Sequence, residues 1–429
     1  MRKAIVVGSG AGGATVAKEL QGTYDVTVLE AGGEFRPFST NLSRIEILKR
    51  AGLMRDEREI SLLFREMKTR KTRDHCIMVN GCSLGGTTTL ATGNALRMDH
   101  DLKALGIDLD EEFEDLYREI PISTEHIKRW RPATRRAFEI FQEMNLHPQP
   151  LPKMGDNRKC INCGRCVLGC QQGAKWDSRI FLTEAVRKGA SVMTGCAVDR
   201  VIIEGGIARG VAFRKGWRPG RMEADLIVLA AGGFGTPAIL KRSGVECTDR
   251  LFVDHVLTIA GRLPGARQNC EISMPFAAQC HGYILAPYFD YLSYFFSRSW
   301  KFKAGDTYGI MIKIADECAG TVSGKKIEKS LTQKDKAALE EASAVCAEIL
   351  CRLGVKKEEV VRGTVNAGHP GGMLPLTAKD VESMHPSALP ELLYAADSTL
   401  FPSSLGNPPM LTIMALAKRV SRICGQLCA

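Results

Sequence analysis

Short apolar runs, broken by glycine turns and followed by amphipathic stretches, set the rhythm of the chain. Residues 3–20 read KAIVVGSGAGGATVAKEL. The apolar run Ala4 to Val7 predicts a buried strand, the glycines a turn, and the stretch after them a helix. YDVTVLEAGG predicts a second strand that ends at Glu30. Residues 224–245, ADLIVLAAGGFGTPAILKRSGV, predict a buried strand, a turn at Gly232, Gly233 and Gly235, and a helix ending near Gly244. Residues 391–420, ELLYAADSTLFPSSLGNPPMLTIMALAKRV, predict a strand, a turn carrying Asp397 and a long apolar helix. Strands alternating with helices define an α/β chain. Residues 101–155 are helical and charged, and DKAALEEASAVCAEILCRLGV has the 3.6-residue spacing of an amphipathic helix with Cys346 and Cys351 in its core. No apolar run approaches the roughly 18–20 residues that span a bilayer.

Length and composition narrow the class. With 429 residues the chain has room for two or three domains of about 150 residues each. Apolar residues at 45% and charged residues at 25% describe a globular protein with ample core. The opening MRKAIVVGSGAGG passes straight into a strand, leaving no room for a secretory segment, so a cytoplasmic location is expected. Fifteen cysteines in such a chain point to reduced thiols and metal ligation before disulfides. The net charge of +10 favours acidic partners: an electron carrier, nucleic acid or an anionic membrane face. Nucleic acid is set aside for want of a matching fold or aromatic platform. The basic runs REMKTRKTR (65–73) and HIKRWRPATRRAF read as solvated faces, with docking of an acidic ferredoxin-like carrier as the functional alternative.

Gly8, Gly10 and Gly13 fit G-x-G-x-x-G between strand and helix. The first glycine permits a tight turn, the second close approach to a pyrophosphate, the third packing of helix on strand. Glu30, seventeen residues after Gly13, falls where a carboxylate accepts a ribose hydroxyl. The fingerprint alone does not separate NAD from FAD. Taken in order with NGCSLGGTTTLATGNALRM (80–98), GTPAILKRSG and ADSTLFP, these segments resemble the glucose–methanol–choline (GMC) family of FAD-dependent oxidoreductases. The resemblance spans residues 1–100 and about 175–245, and returns from 365 to the end. It implies an FAD wrapped by Gly85, Gly86, Thr87 and Asn94, with Asp397 at the ribityl and pyrophosphate portion.

The same resemblance implies a histidine base before a Gly- and Met-containing turn, which NAGHPGGMLPL supplies as His369. An imidazole suits removal of a hydroxyl proton as hydride leaves the same carbon. The family's second polar group, a His or Asn, falls in SLGNPPMLT, where Asn407 stands one position before the register position, Pro408.

Cys160, Cys163, Cys166 and Cys170 have the spacing C-x2-C-x2-C-x3-C of ferredoxin-type loops, with Gln171 in place of the usual proline. A [4Fe–4S] cluster is expected on all four, or with an outside ligand such as Cys196; zinc is the alternative. YILAPYFDYLSYFFSRSWKF (283–302) holds nine of the twenty-eight aromatics. It reads as a core strand pair, an apolar lid over a lipid-like or isoprenoid substrate, or an insertion into a membrane interface.

The expected architecture is therefore a Rossmann-like FAD-binding domain of GMC type in three parts (1–100, 176–245, 366–429, the last with the catalytic segment). A helical insertion (101–155), a cysteine-rich cluster-binding insertion (156–175) and a mixed α+β substrate domain (246–365) complete it. The expected activity is hydride transfer from an alcohol-type substrate to FAD, with electrons leaving through the cluster to a ferredoxin-like or other acidic carrier, or to a partner redox subunit. Reduction of a carbon–carbon double bond in an apolar substrate, a non-catalytic electron-transfer role and a peripheral membrane contact stay open.

Overall fold

The computed structural model describes every residue except 55, 73, 325, 428 and 429, so Arg73, the last cation of the 65–73 run, lies outside the described residues. Five parallel strands form one sheet in the order Leu393–Ala395, Leu226–Leu229, Lys3–Val7, Asp25–Leu29, Ser191–Met193. They read as continuous apolar runs because both faces are covered; Val6, Val28 and Val228 are fully buried. The helices Ala11–Leu20 and Met410–Gln426 pack on each other and share the core of this sheet. Among the described residues no helix is long and apolar enough to cross a membrane.

A second, mostly antiparallel sheet runs in the order Met67–Lys71, Ile77–Gly81, Asn366–Ala367, Val256–Arg262, Thr307–Ile314, Tyr283–Pro287, Phe276–Gln279, Gln149–Pro150. Leu257 faces Ile312 and Ile259 faces Ile310 in its central pair. The helices Pro132–Glu143 and Gln333–Arg352 contribute Phe141, Leu339 and Ile349 to its core. The longer of them starts in a reciprocal cap between Thr332 and Asp335. Residues 67–81 and 366–367 thus pair with the substrate-side sheet, although their local pattern groups them with the cofactor segments. The pairing is long-range, and no local periodicity carries it.

The aromatic segment forms the strand Tyr283–Pro287 and the short helix Tyr291–Phe296, which is capped by Asp290. Tyr291, Tyr294, Phe295, Phe296 and Trp300 are buried with Ile45 of the helix Leu42–Arg50 and with Leu168. Of the three readings of this segment, these five rings fit core packing: each lies beneath Leu42–Arg50 with no more than 8% of its surface exposed.

Phe276 has no exposed surface and meets Phe138 and Phe141 edge-on, each at 5.1 Å. Phe276→Ala should cost about 3–5 kcal/mol of unfolding free energy, read as a lower urea midpoint. An unchanged midpoint would contradict this account of the core.

Candidate active site at the seam of the two sheets

A cavity of ≈ 790 Å³ runs along the carboxyl ends of the parallel strands and onto the second sheet. At one end it is walled by Gly8, Ser9, Gly10 and Glu30, and further on by Gly86, Thr87, Asn94 and Asp397. Gly8 has φ 102°, and a Cβ there would stand 2.3 Å from the Ala230 carbonyl oxygen. A Cβ on Gly13 would stand 2.0 Å from the Gly8 oxygen, so this glycine serves helix–strand packing and not the cavity wall. A Cβ on Gly10 would meet nothing within 4 Å; it would project into open space where a pyrophosphate needs backbone N–H groups. That cradle fits a dinucleotide.

Ser9 knots the turn together. Its N–H (3.1 Å) and hydroxyl donate to Glu30 Oε2, and its hydroxyl oxygen accepts the Gly85 N–H at 3.0 Å. Glu30 Oε1 accepts from Gly32 N–H at 2.7 Å, leaving the buried carboxylate fixed at the cavity edge. Gly86 approaches the Gly10 Cα so closely that its Cβ would lie at 3.0 Å, which brings the second glycine segment onto the first. Thr87 accepts the Gly81 N–H at 3.1 Å. Asp397 accepts from Gly232 N–H (2.8 Å), Thr236 Oγ1 (2.6 Å), Thr399 N–H (3.0 Å) and Thr399 Oγ1 (2.7 Å). Burial raises its carboxyl despite these donors.

His369 lines the far end of the cavity. Its Nδ1 meets the Lys313 Nζ and stands 3.4 Å from Asp254 Oδ2, while Lys313 Nζ is 3.1 Å from the same oxygen. The Lys313 and Asp254 side chains are each 1% exposed, His369 30%. Burial would raise the Asp254 carboxyl, but the Lys313 ammonium, the His369 ring and the Ser404 hydroxyl bring it down to about 2. Burial and the Lys313 charge lower His369, with Asp254 opposing; burial lowers Lys313, with Asp254 and Asp316 opposing. Asp254 sits at φ 52°, held there by Asp316, whose carboxylate accepts the N–H groups of Val253 and Asp254.

Asn407 does not join this group. Its amide donates to Gln279 Oε1 at 3.0 Å, and Pro408 and Pro409 take the cavity wall. The polar partner of His369 comes instead from Lys313 and Asp254, which sequence reasoning missed. A lone lysine in the apolar run YGIMIKI (308–314) was the available signal.

The four cysteines occupy the loop after the short helix Asn157–Lys159, and Val167 and Leu168 between them line the cavity. Cys160, Cys166 and Cys170 all act electrostatically on Cys163, whose thiol is raised mainly by burial. Among the described residues no three His, Cys, Asp or Glu side chains are gathered to hold a metal ion. That holds for zinc, which draws its sulfurs to about 2.3 Å from one point, and equally for a cluster. Four thiols are a donor set of the kind a cubane takes, but the structure does not assemble them into a metal-binding group. Cys196 lies elsewhere, in the strand Cys196–Glu204, with its N–H on the Glu30 carbonyl. Two lysines flank the loop: burial lowers Lys153 to about 7 and Lys175 to about 8, with nearby thiols opposing.

Residues 3–257 match the family model for GMC oxidoreductases, and the chain belongs to that family. It is an FAD-dependent oxidoreductase. An uncharacterized protein of Methanocaldococcus jannaschii is 27% identical over 422 residues, covering 97% of this chain and 98% of its own. A long-chain-alcohol oxidase of Arabidopsis thaliana is 23% identical, over 96% of this chain and 67% of its own. The crystal structure of pyridoxine 4-oxidase from Mesorbium loti shares the fold, with TM-score 0.70 and 17% identity over 98% of this chain and 99% of that one.

Gly10→Val should fill the cradle without a backbone clash. Flavin absorbance per protein should fall sharply while the far-ultraviolet circular dichroism stays that of the parent. Full flavin retention would show that the Gly10 cradle is not where the cofactor lies.

Proposed function

We propose that this chain oxidises a CH–OH group on an apolar substrate, with His369 Nε2 as the base. The observation that carries the reading is the His369–Lys313–Asp254 group at the end of a chamber with mostly apolar walls. FAD, when bound, supplies the acceptor for the hydride. Among the described residues no protein group holds Nε2, so with Nδ1–H directed to the Asp254 carboxylate that nitrogen is free to take the hydroxyl proton. The proton then rests on a ring whose other nitrogen already faces a carboxylate, and the oxidised carbon leaves as a carbonyl. Ile45, Met54, Ile60, Phe64, Phe295 and Phe296 wall the chamber and keep water from it. Leu63 both lines it and is 46% exposed, so the chamber reaches the surface there. An apolar chain, drawn from a carrier or from the face of a membrane, suits that mouth. The plant relative's name, long-chain-alcohol oxidase, agrees with this substrate class and favours oxidation over reduction of a double bond.

His369→Ala should lower kcat with a long-chain alcohol by about 10²–10⁴-fold while flavin content is kept. Neutral His369 is the active form, so the rate is lost as pH falls through its pKa. Removing the Lys313 charge raises that pKa, and Lys313→Met should move the acid limb of kcat/KM to higher pH. A limb that stays in place would remove Lys313 from the mechanism.

The finer part of the proposal is the electron exit. Cys160, Cys163, Cys166 and Cys170 would hold a [4Fe–4S] cluster, and the chemistry it would supply is one-electron relay to a ferredoxin-like or other acidic carrier. Their spacing, the loop's share in the cavity wall and the chain's positive charge support this. Protein purified without oxygen should contain iron and acid-labile sulfide at about four each per FAD, the content of one cubane, and give an electron paramagnetic resonance signal after dithionite. Zinc, or no metal, would overturn it.

A further inference from the structure

We propose that the segment 42–63 docks on the face of an anionic lipid bilayer, from which the chamber draws its apolar substrate. The supply of substrate rests on the oxidation reading above, whereas the docking needs no turnover. Five of the twelve large apolar side chains exposed among the described residues fall in this one stretch: Ile47 65%, Leu48 37%, Leu53 58%, Leu62 80% and Leu63 46%. Exposed apolar residues scattered singly are ordinary, but a cluster of them marks a contact surface.

The helix Leu42–Arg50 gives the cluster its geometry. At 3.6 residues per turn, Leu42, Ile45 and Lys49 fall on one side, where Ile45 is buried and Lys49 Nζ donates to the Trp300 carbonyl at 2.6 Å. Ile47 and Leu48 are left facing outward. Gly52, at φ 70°, then folds the chain back: its N–H donates to the Lys49 carbonyl at 2.9 Å, and the Leu53 N–H to that of Leu48 at 3.0 Å. This closure sets the side chain after the glycine against the helix's last turn, so Ile47, Leu48 and Leu53 make one patch. The inner side of the same stretch walls the chamber through Leu42, Ile45, Met54, Ile60 and Leu63. Leu53 and Leu62 each adjoin one of these wall residues in the chain, and Leu63 is both wall and surface.

Charge selects the occupant. Among the described residues of 42–65, every exposed charged side chain is an arginine: Arg44, Arg50, Arg58 and Arg65. The acids are partly buried or engaged. Glu46 accepts the Tyr294 hydroxyl at 2.7 Å, Asp56 is bound to Arg58 at 2.6 Å, Glu57 faces Lys71 at 3.5 Å, and Glu59 is half-buried. Arg298 and Lys301, both exposed, flank the Trp300 that Lys49 ties to the helix. Apolar side chains entering the acyl boundary, with cations level with the phosphates, hold a protein on an anionic bilayer. A second copy of this chain would instead set the same arginines against each other.

The test is co-sedimentation of the flavin-loaded protein with vesicles of phosphatidylglycerol and phosphatidylcholine, and with phosphatidylcholine alone. The parent should bind the anionic vesicles far more than the neutral ones, and be released as salt is raised. Ile47→Ser, Leu53→Ser and Leu62→Ser together should abolish binding, with flavin content and far-ultraviolet circular dichroism kept. Arg44→Gln with Arg50→Gln, which leaves the apolar patch in place, should weaken binding about fivefold for each charge. None of these five residues lines the chamber, so both variants should oxidise a water-soluble alcohol like the parent and lose rate only on a long-chain alcohol held in vesicles. A parent that stays in the supernatant overturns the docking, whatever alcohols it oxidises. So does a triple serine variant that binds as the parent does. A parent that binds anionic vesicles yet oxidises no alcohol supports the docking and removes the oxidation reading.

Discussion

A Cβ on Gly12 would stand 1.7 Å from the carbonyl oxygen of Ala396, and one on Gly13 2.0 Å from that of Gly8. These approaches of backbone to backbone are the constraint on which the cofactor end depends. They let the first helix sit down on the centre of the parallel sheet and against the turn after its last strand, three hundred and more residues later in the chain. With the helix that low, Ser9 can reach Glu30 on one side and Gly85 on the other. Three segments from distant parts of the sequence then share one rim. Any side chain at Gly12 or Gly13 would push the helix outward and open that knot.

The chemical end obeys a different constraint, electrostatic and not steric. Asp254 is held in a left-handed conformation by Asp316, which also binds the buried Lys329 at 2.7 Å. Its carboxylate therefore points at Lys313 and His369 from a fixed place. Ser404 Oγ donates to Asp254 at 2.6 Å, so the loop after Asp397 is tied to the same carboxylate. One buried anion thus joins the second sheet, the histidine turn and the cofactor-side loop. The histidine owes its orientation to that junction, because its own turn, rich in glycine, could not supply it.

These two constraints explain which parts were legible in the sequence. Gly8, Gly10, Glu30, Asp397 and His369 could be read because each belongs to a short contiguous pattern whose backbone demands fix the residue type. Lys313 and Asp254 could not: a lysine within an apolar strand and an aspartate before a histidine have no local signature, and their meaning lies in a pairing across the fold. Asn407 and Pro408 show the limit of counting. Adjacent residues of one loop face opposite ways, so a register one position off exchanges cavity wall for interior hydrogen bond. The strands at 67–81 escaped for the reason that hid Lys313. The cysteine spacing was legible as a donor set, but spacing along a chain does not say how far apart the sulfurs stand.

The buried lysines bring the two ends under one rule. Lys313 has Asp254, Lys329 has Asp316, and Lys418 has Glu19 and Glu119 at 2.8 and 3.0 Å. In each case the chain places a carboxylate within reach of the ammonium it removes from water. Lys153 and Lys175 break the pattern, having carbonyl and amide oxygens where the others have carboxylates. Burial accordingly moves these two toward the neutral amine, Lys153 to about 7 and Lys175 to about 8, the other way to satisfy a lysine withdrawn from water.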